Sequence, residues 1–207
     1  MTYTVKDLFH TLQGEGMQTG RSAVFLRFAG CNLWSGREEH RETAVCRFCD
    51  TEFVGGDKHA QAESLASAAR ACWDAAVADK ASVPYVVCTG GEPLLQLDAP
   101  LIDALHRQGF EVAVETNGTL RAPPGLDWVC VSPKAGAELR QVTGDELKVV
   151  WPQPELDLEA LAKLEFAHFL LQPMDGHPGS TQACVNWCRA HPRWRLSLQT
   201  HKILEIP

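Results

Sequence analysis

Short apolar runs alternate along this chain with longer stretches of helical period, and that alternation limits the fold more than any other feature. Runs at 23–28, 83–88, 112–115, 128–131, 147–151, 168–171 and 194–198 are rich in Val, Leu, Phe or Trp and end at glycine, proline or polar turns. Between them, 60–79 carries Leu65, Ala69, Cys72 and Ala76 at spacings of three and four, as one helix face requires. The same period runs through Leu101 and Leu105 in 97–108 and stops at Gly109, and two further helices fit 156–164 and 178–189. Strands alternating with helices imply a parallel sheet with the helices outside it. An eight-unit barrel takes about 250 residues, and this shorter chain has room for about six units. The expected fold is α/β: a partial, open barrel of the (β/α)6 type, in a single domain over 1–207.

At 45% hydrophobic and 22% charged residues, the chain can bury a core rather than stay disordered. A net charge of -7 argues against a nucleic-acid partner or an anionic membrane surface, since either needs a basic face. No apolar run reaches the roughly 18 residues of a spanning helix. Residues 1–16 look polar and glycine-rich and lack a basic-then-apolar signal segment. A cytoplasmic protein is expected, whose eight cysteines are thiols rather than disulfides, the clustered ones pointing to metal or redox work.

The polar residues gather where strands end. Cys31 follows the first run, Thr89-Gly90-Gly91-Glu92 the second, Glu115-Thr116-Asn117 the third, Ser132-Pro133-Lys134 the fourth and Gln172-Pro173-Met174-Asp175 the sixth. In barrel folds the carboxyl ends of the strands carry the active site. One long irregular stretch, 32–58, breaks the rhythm, and a loop of that length in a compact domain is usually functional. With Cys31 it forms a C-x14-C-x2-C pattern, Cys31, Cys46 and Cys49. Structural zinc sites and ordinary iron–sulfur clusters take four protein ligands, and this segment offers three. Three thiolates on a four-iron cluster leave one iron open to a ligand that is not protein, which is what reductive cleavage of S-adenosylmethionine requires. A zinc knuckle completed by His40 or a remote cysteine stays open on spacing alone.

Two more positions are informative by themselves. Gly90-Gly91 after a strand lets the backbone approach a ligand closely, although a plain strand-to-helix turn would look the same. Arg27 stands inside the apolar run Val24-Phe25-Leu26-Arg27-Phe28, so it must be paired or face a cavity. Its guanidinium fork suits a carboxylate, from a substrate or from a barrel glutamate. The Cys184/Cys188 pair on one helix face reads as core.

Taken in order, Phe9-His10-Thr11-Leu12-Gln13-Gly14-Glu15-Gly16, Phe25-Leu26-Arg27-Phe28-Ala29-Gly30-Cys31-Asn32-Leu33, Cys46-Arg47-Phe48-Cys49-Asp50-Thr51, Thr89-Gly90-Gly91-Glu92-Pro93-Leu94, Glu115-Thr116-Asn117-Gly118-Thr119, Ser132-Pro133-Lys134 and Leu171-Gln172-Pro173-Met174 resemble the radical S-adenosylmethionine family over about residues 7–175. Within that family the similarity is to the synthases that contract a pterin to a 7-deazapurine, on the route to queuosine. Most of the wider family keeps its first two cysteines far closer together than here.

The resemblance implies a [4Fe–4S] cluster on Cys31, Cys46 and Cys49, and S-adenosylmethionine held by Phe48, Cys49, Asp50, Gly91, Ser132, Pro133, Lys134, Gln172, Pro173, Met174 and Asp175. It implies Mg²⁺ on Thr51, a site that the bare sequence would not reveal. Substrate contacts would come from Leu12, Gln13, Gly14, Glu15, Arg27, Thr89 and a docked tail ending at Pro207, with Ile203, Leu204 and Ile206 as its anchors. The implied reaction turns 6-carboxy-5,6,7,8-tetrahydropterin into 7-carboxy-7-deazaguanine with loss of ammonia, started by hydrogen abstraction at C6. An external one-electron reductant of flavodoxin or ferredoxin type and a homodimer belong to the same expectation. A glycyl-radical activating enzyme and a non-catalytic zinc-binding module remain as alternatives.

Overall fold

In β2, spanning Ser22–Phe28, Val24, Leu26 and Phe28 are fully buried on one face while Phe25 and Arg27 point to the other. The strand period of two separates these faces, and neighbouring strands repeat the division. Val86 and Cys88 of β4 (Tyr85–Gly90) and Val112 and Val114 of β5 (Glu111–Thr116) continue the apolar face. Val131 of β6 (Trp128–Val131), Leu147 and Val149 of β7 (Thr143–Trp151) and Phe169 and Leu171 of β8 (Glu165–Pro173) extend it further. Thr89, Glu115, Lys148 and Gln172 occupy the opposite face.

Helices cover the apolar face. Helix α1 (Ala62–Ala76) buries Leu65, Ala66, Ala69 and Trp73, and α2 (Ala99–Arg107) buries Leu101, Ile102 and Leu105. Complete burial of a leucine contributes about 1.5–3 kcal/mol, so Leu101 and Leu105 alone go far to hold α2 in place. Asp98 caps α2 by accepting from the Leu101 N–H at 3.1 Å, and it also accepts the Tyr3 hydroxyl at 2.7 Å. On the far half of the sheet, the short α3 (Leu158–Leu161) and α4 (Ser180–Ala190) close a second core around Phe166, Phe169 and Trp194.

This computed structural model describes residues 2–207, with nine strands in one sheet of order β3-β1-β2-β4-β5-β6-β7-β8-β9. From β2 to β9 (Trp194–Leu196) every neighbouring pair is parallel, as the alternation of strands and helices implies. Two antiparallel strands precede that series, and the sequence does not announce them. Strand β1 (Tyr3–Leu12) pairs with β2 and with β3 (Asp57–His59). The supposedly polar start is thus a ten-residue strand. Its polar residues blur the alternation, and a register irregularity between Val5 and Asp7 breaks it. The long loop is not structureless either, since Glu38–Thr43 forms a 3-10 turn. Crossovers 117–127 and 132–142 carry no helix, so the outer helical layer is incomplete. Among the described residues, no helix is long and apolar enough to cross a membrane.

Candidate active site

The polar face of the sheet and the ends of its parallel strands enclose a cavity of about 450 Å³, ordinary for a small-molecule site. Arg27 and Cys31 reach it from β2 and its end, Thr89 from β4 and Gly91 from just beyond it, Glu115 from β5, and Ser132 and Lys134 from just beyond β6. Lys148 of β7 and Gln172, Met174 and Asp175 at the end of β8 border it too. The long loop adds Cys46, Phe48, Cys49, Asp50 and Thr51, and the β1–β2 connection adds Leu12, Gln13, Gly14 and Glu15. Two residues expected at the site do not border the cavity. Pro133 is buried, its carbonyl accepting from Gln153 Nε2 at 3.4 Å, and Pro173 sits in the ladder opposite Trp151.

The three cysteines share one wall but differ in environment. Cys31 Sγ accepts from the Leu33 N–H at 3.4 Å, and burial pushes its thiol up. The Cys46 and Cys49 thiols act on each other, which with burial raises the Cys46 thiol and against burial brings Cys49 down to about 6, while Cys49 Sγ lies 3.9 Å from the Thr51 carbonyl. Among the described residues, no three His, Cys, Asp or Glu side chains converge as ligands of one metal ion. Three thiols on one cavity fit a multi-iron cluster, whose thiolates sit on separate irons. His40, a possible fourth zinc ligand, is exposed and bonded to Ser35 Oγ at 2.8 Å, away from the cavity. Among the described residues, no fourth cysteine borders it.

The Gly90-Gly91-Glu92 turn divides its labour. Glu92 is fully buried and accepts from Leu94 N at 3.0 Å, Thr116 Oγ1 at 2.7 Å and Asn117 N at 2.8 Å. Burial raises its carboxyl, the donors oppose that, and together they tie the end of β4 to the end of β5. Gly91 faces the cavity, and a Cβ there would overlap the Gly30 carbonyl and press on Cys31. Gly91→Ala is expected to displace Cys31 and lower iron content at least severalfold after anaerobic reconstitution, measured by iron analysis.

The floor holds charges that the motifs do not announce. Lys148 is 4% exposed, with Nζ 2.6 Å from Glu15 Oε2 and 3.5 Å from Glu115 Oε1. Gln199 Nε2 donates to Glu15 Oε1 at 2.9 Å and Gln13 Nε2 to Glu115 Oε1 at 2.8 Å. Glu146, also buried, accepts the Met17 N–H at 2.9 Å. Arg27 finds Asp7 of β1, not a barrel glutamate, with its Nε 3.5 Å away. Near the cysteines, Lys134 Nζ donates to the Ser132 carbonyl at 2.6 Å and hydroxyl at 2.7 Å, and lies 6.0 Å from the Phe48 ring centre.

A polar tail closes one side. Helix α5 (Thr200–Leu204) sends Lys202 Nζ to Asp50 Oδ2 at 2.5 Å and Asp175 Oδ2 at 2.7 Å. Thr200 donates through N and Oγ1 to the Gly14 carbonyl at 2.8 and 2.9 Å, and Thr11 Oγ1 donates to the Pro207 oxygen at 2.8 Å. The tail therefore docks by hydrogen bonds, and the expected apolar anchors are wrong for two residues. Ile203 and Leu204 are 69% and 58% exposed, because the face of α5 that meets the cavity carries His201 and Lys202.

Residues 41–149 match the radical SAM superfamily. The chain is 58% identical to the 7-carboxy-7-deazaguanine synthase of Bordetella pertussis and 56% identical to that of Burkholderia multivorans, with all of each chain covered. Its fold is similar to the crystal structure of QueE from Escherichia coli, with a TM-score of 0.70 and 28% identity over 96% of this chain and 94% of that one. With three thiols, a glycine-lined turn and a charged floor around one cavity, the chain belongs to the radical SAM superfamily and, within it, to the 7-carboxy-7-deazaguanine synthase family.

Proposed function

We propose that the chain is a radical S-adenosylmethionine lyase converting 6-carboxy-5,6,7,8-tetrahydropterin to 7-carboxy-7-deazaguanine, with loss of ammonia, in queuosine and related 7-deazapurine biosynthesis. The observation that carries this reading is one cavity bordered by three thiols, Arg27, the buried Lys148 and its partners Glu15 and Glu115. Cys31, Cys46 and Cys49 fit a [4Fe–4S] cluster with one iron left for S-adenosylmethionine. When bound, these cofactors supply the one-electron reduction and the hydrogen abstraction that begin the ring contraction.

The protein's share is position and charge. Gly91 would admit the amino group of S-adenosylmethionine to the main chain, and Phe48 would take its adenine. Cys49 and Asp50, Ser132 to Lys134 and Gln172 to Asp175 would hold the rest of that cofactor, Pro133 and Pro173 acting from behind the cavity by fixing the main chain of their neighbours. Lys134 supports this role because its own turn already aims the ammonium. Arg27 takes the substrate carboxylate; Asp7 engages Nε and leaves the terminal nitrogens for a bidentate grip. Thr89 gives a further polar contact. Leu12, Gln13, Gly14, Glu15 and Pro207 border the substrate edge, where carboxylate and amide oxygens accept its N–H groups. A site of buried acceptors rejects analogues that leave them unpaired.

Thr51 would hold Mg²⁺, with substrate oxygens and water as its further ligands. Thr51→Ala is expected to lower turnover on the order of 10-fold or more, the scale on which supporting groups of metal sites act. It should also flatten the Mg²⁺ dependence while leaving cluster absorbance intact; an unchanged Mg²⁺ titration argues against the assignment.

The reading includes an external reductant of flavodoxin or ferredoxin type, a cytoplasmic location and a homodimer. Support for assembly comes from Leu196, Leu198, Ile203 and Leu204, apolar side chains exposed on β9, α5 and the segment between them. The decisive experiment supplies reductant, S-adenosylmethionine and pterin to anaerobically reconstituted protein and follows product mass and ammonia. A protein that takes up no iron, or forms no product, overturns the reading.

A further inference from the structure

Between Cys31 and Cys46, one side chain reaches forward over the next turn. Arg41, in the 3-10 turn, donates through Nη1 to the carbonyls of Arg47 at 2.9 Å and Cys49 at 3.0 Å. Its Nε donates to both oxygens of Glu38 at 2.7 and 2.8 Å. The guanidinium lies 4.1 Å from the centre of the Trp34 ring, and Trp34 in turn meets Phe53 edge-on at 5.5 Å. Trp34 and Phe53 are both buried, so the stack is anchored in the protein body. Only a planar fork with several donors can stack, pair and hold two carbonyls at once.

We infer that Arg41 is a positioning residue for the iron–sulfur cluster, fixing the Cys46–Cys49 turn and placing a positive charge beside its thiolates so that the cluster is easier to reduce. The inference rests on the cluster assignment made above. Reduction adds a negative charge to the cluster, and a fixed cation nearby stabilises that state, since cluster potentials follow local charge, hydrogen bonding and exposure. Glu38 acts with the opposite sign. Its carboxylate is 76% exposed and therefore screened, so it offsets only part of the guanidinium charge. The fourteen residues between the first two cysteines thus act as a brace and a charge for the turn that follows them.

Potentiometric titrations of anaerobically reconstituted wild-type, Arg41→Gln, Arg41→Lys and Glu38→Gln proteins, read by electron paramagnetic resonance beside iron analysis, test this. Arg41→Gln should lower the reduced-to-oxidised ratio at fixed poise up to about tenfold, or about 59 mV for one electron. Glu38→Gln should shift the potential the other way. Arg41→Lys should keep a potential near the wild type but retain less iron, because an ammonium cannot hold both carbonyls and stack on Trp34. If Arg41→Gln holds no cluster, the sign of the Glu38→Gln shift decides. Potentials unchanged in both charge variants overturn the inference, whereas a wild-type protein without a [4Fe–4S] signal overturns the cluster assignment instead.

Discussion

Proteins carrying Cys31→Ala, Cys46→Ala or Cys49→Ala are each expected to retain little iron and to cleave no S-adenosylmethionine, while Cys184→Ala keeps both. The contrast follows from where the sulfurs lie. Cys31, Cys46 and Cys49 border the cavity with no fourth cysteine beside them among the described residues, so losing one leaves an iron with neither a protein ligand nor a substitute. Cys184 is fully buried on α4 against Phe169 and its neighbours, where removing a single sulfur costs about 1 kcal/mol, the scale of a deleted methyl group. Iron and sulfide analysis, with chromatography of the cleavage products, separates the two classes. Full iron content and full cleavage in a folded Cys46→Ala protein would remove the cysteines from the reaction.

The parallel part of the sheet is legible because its outward face must be apolar to receive helices, and the runs through Leu26, Val86, Val112, Leu147 and Phe169 say so. Strand β1 is not, because its stability comes from neighbours. Tyr3 and Val5 are buried, but Lys6, Asp7, His10 and Thr11 interrupt the pattern, and pairing to β2 and β3 supplies what the sequence lacks. Arg27 stands out as a cation among Val, Leu and Phe. Lys148 stands in the same setting, between Leu147 and Val149, and the same test flags it; what the sequence hides is its partner Glu15, 133 residues away. The closure at Lys202 is hidden for that reason too, since it joins Asp50 across 152 residues. Long-range polar pairs leave no local period to read.

Lys148→Met should destabilise the protein by about 3–5 kcal/mol at neutral pH, the usual cost of removing one partner of a buried ion pair. Methionine keeps the apolar stem and loses only the ammonium, which leaves Glu15 and Glu115 without the cation they share. Burial by itself raises the Glu15 carboxyl; the Lys148 charge and hydrogen bond overcome that and, with Gln199, bring it down to about 2. Burial likewise lowers Lys148, and the charges of Glu115 and Glu15 more than reverse it, holding the ammonium well above the usual lysine range. The signs set the pH window. A carboxyl lowered from 4.5 to about 2 on folding contributes its stability above that ordinary value and loses it as pH falls towards 2. The raised lysine contributes below 10.5 and is lost only in stronger alkali. Without the lysine, burial pushes Glu15 upward, so the variant is penalised most where the carboxyl must ionise. Thermal unfolding of the anaerobic holoenzymes should place the variant on the order of 10 °C below the wild type at pH 7.5. The gap should narrow at pH 5, as the orphaned carboxyl takes up a proton and no longer carries a buried charge. Equal melting temperatures at pH 7.5, or a gap that does not change with pH, would mean that the Glu15–Lys148 pair does not set the charge of the floor.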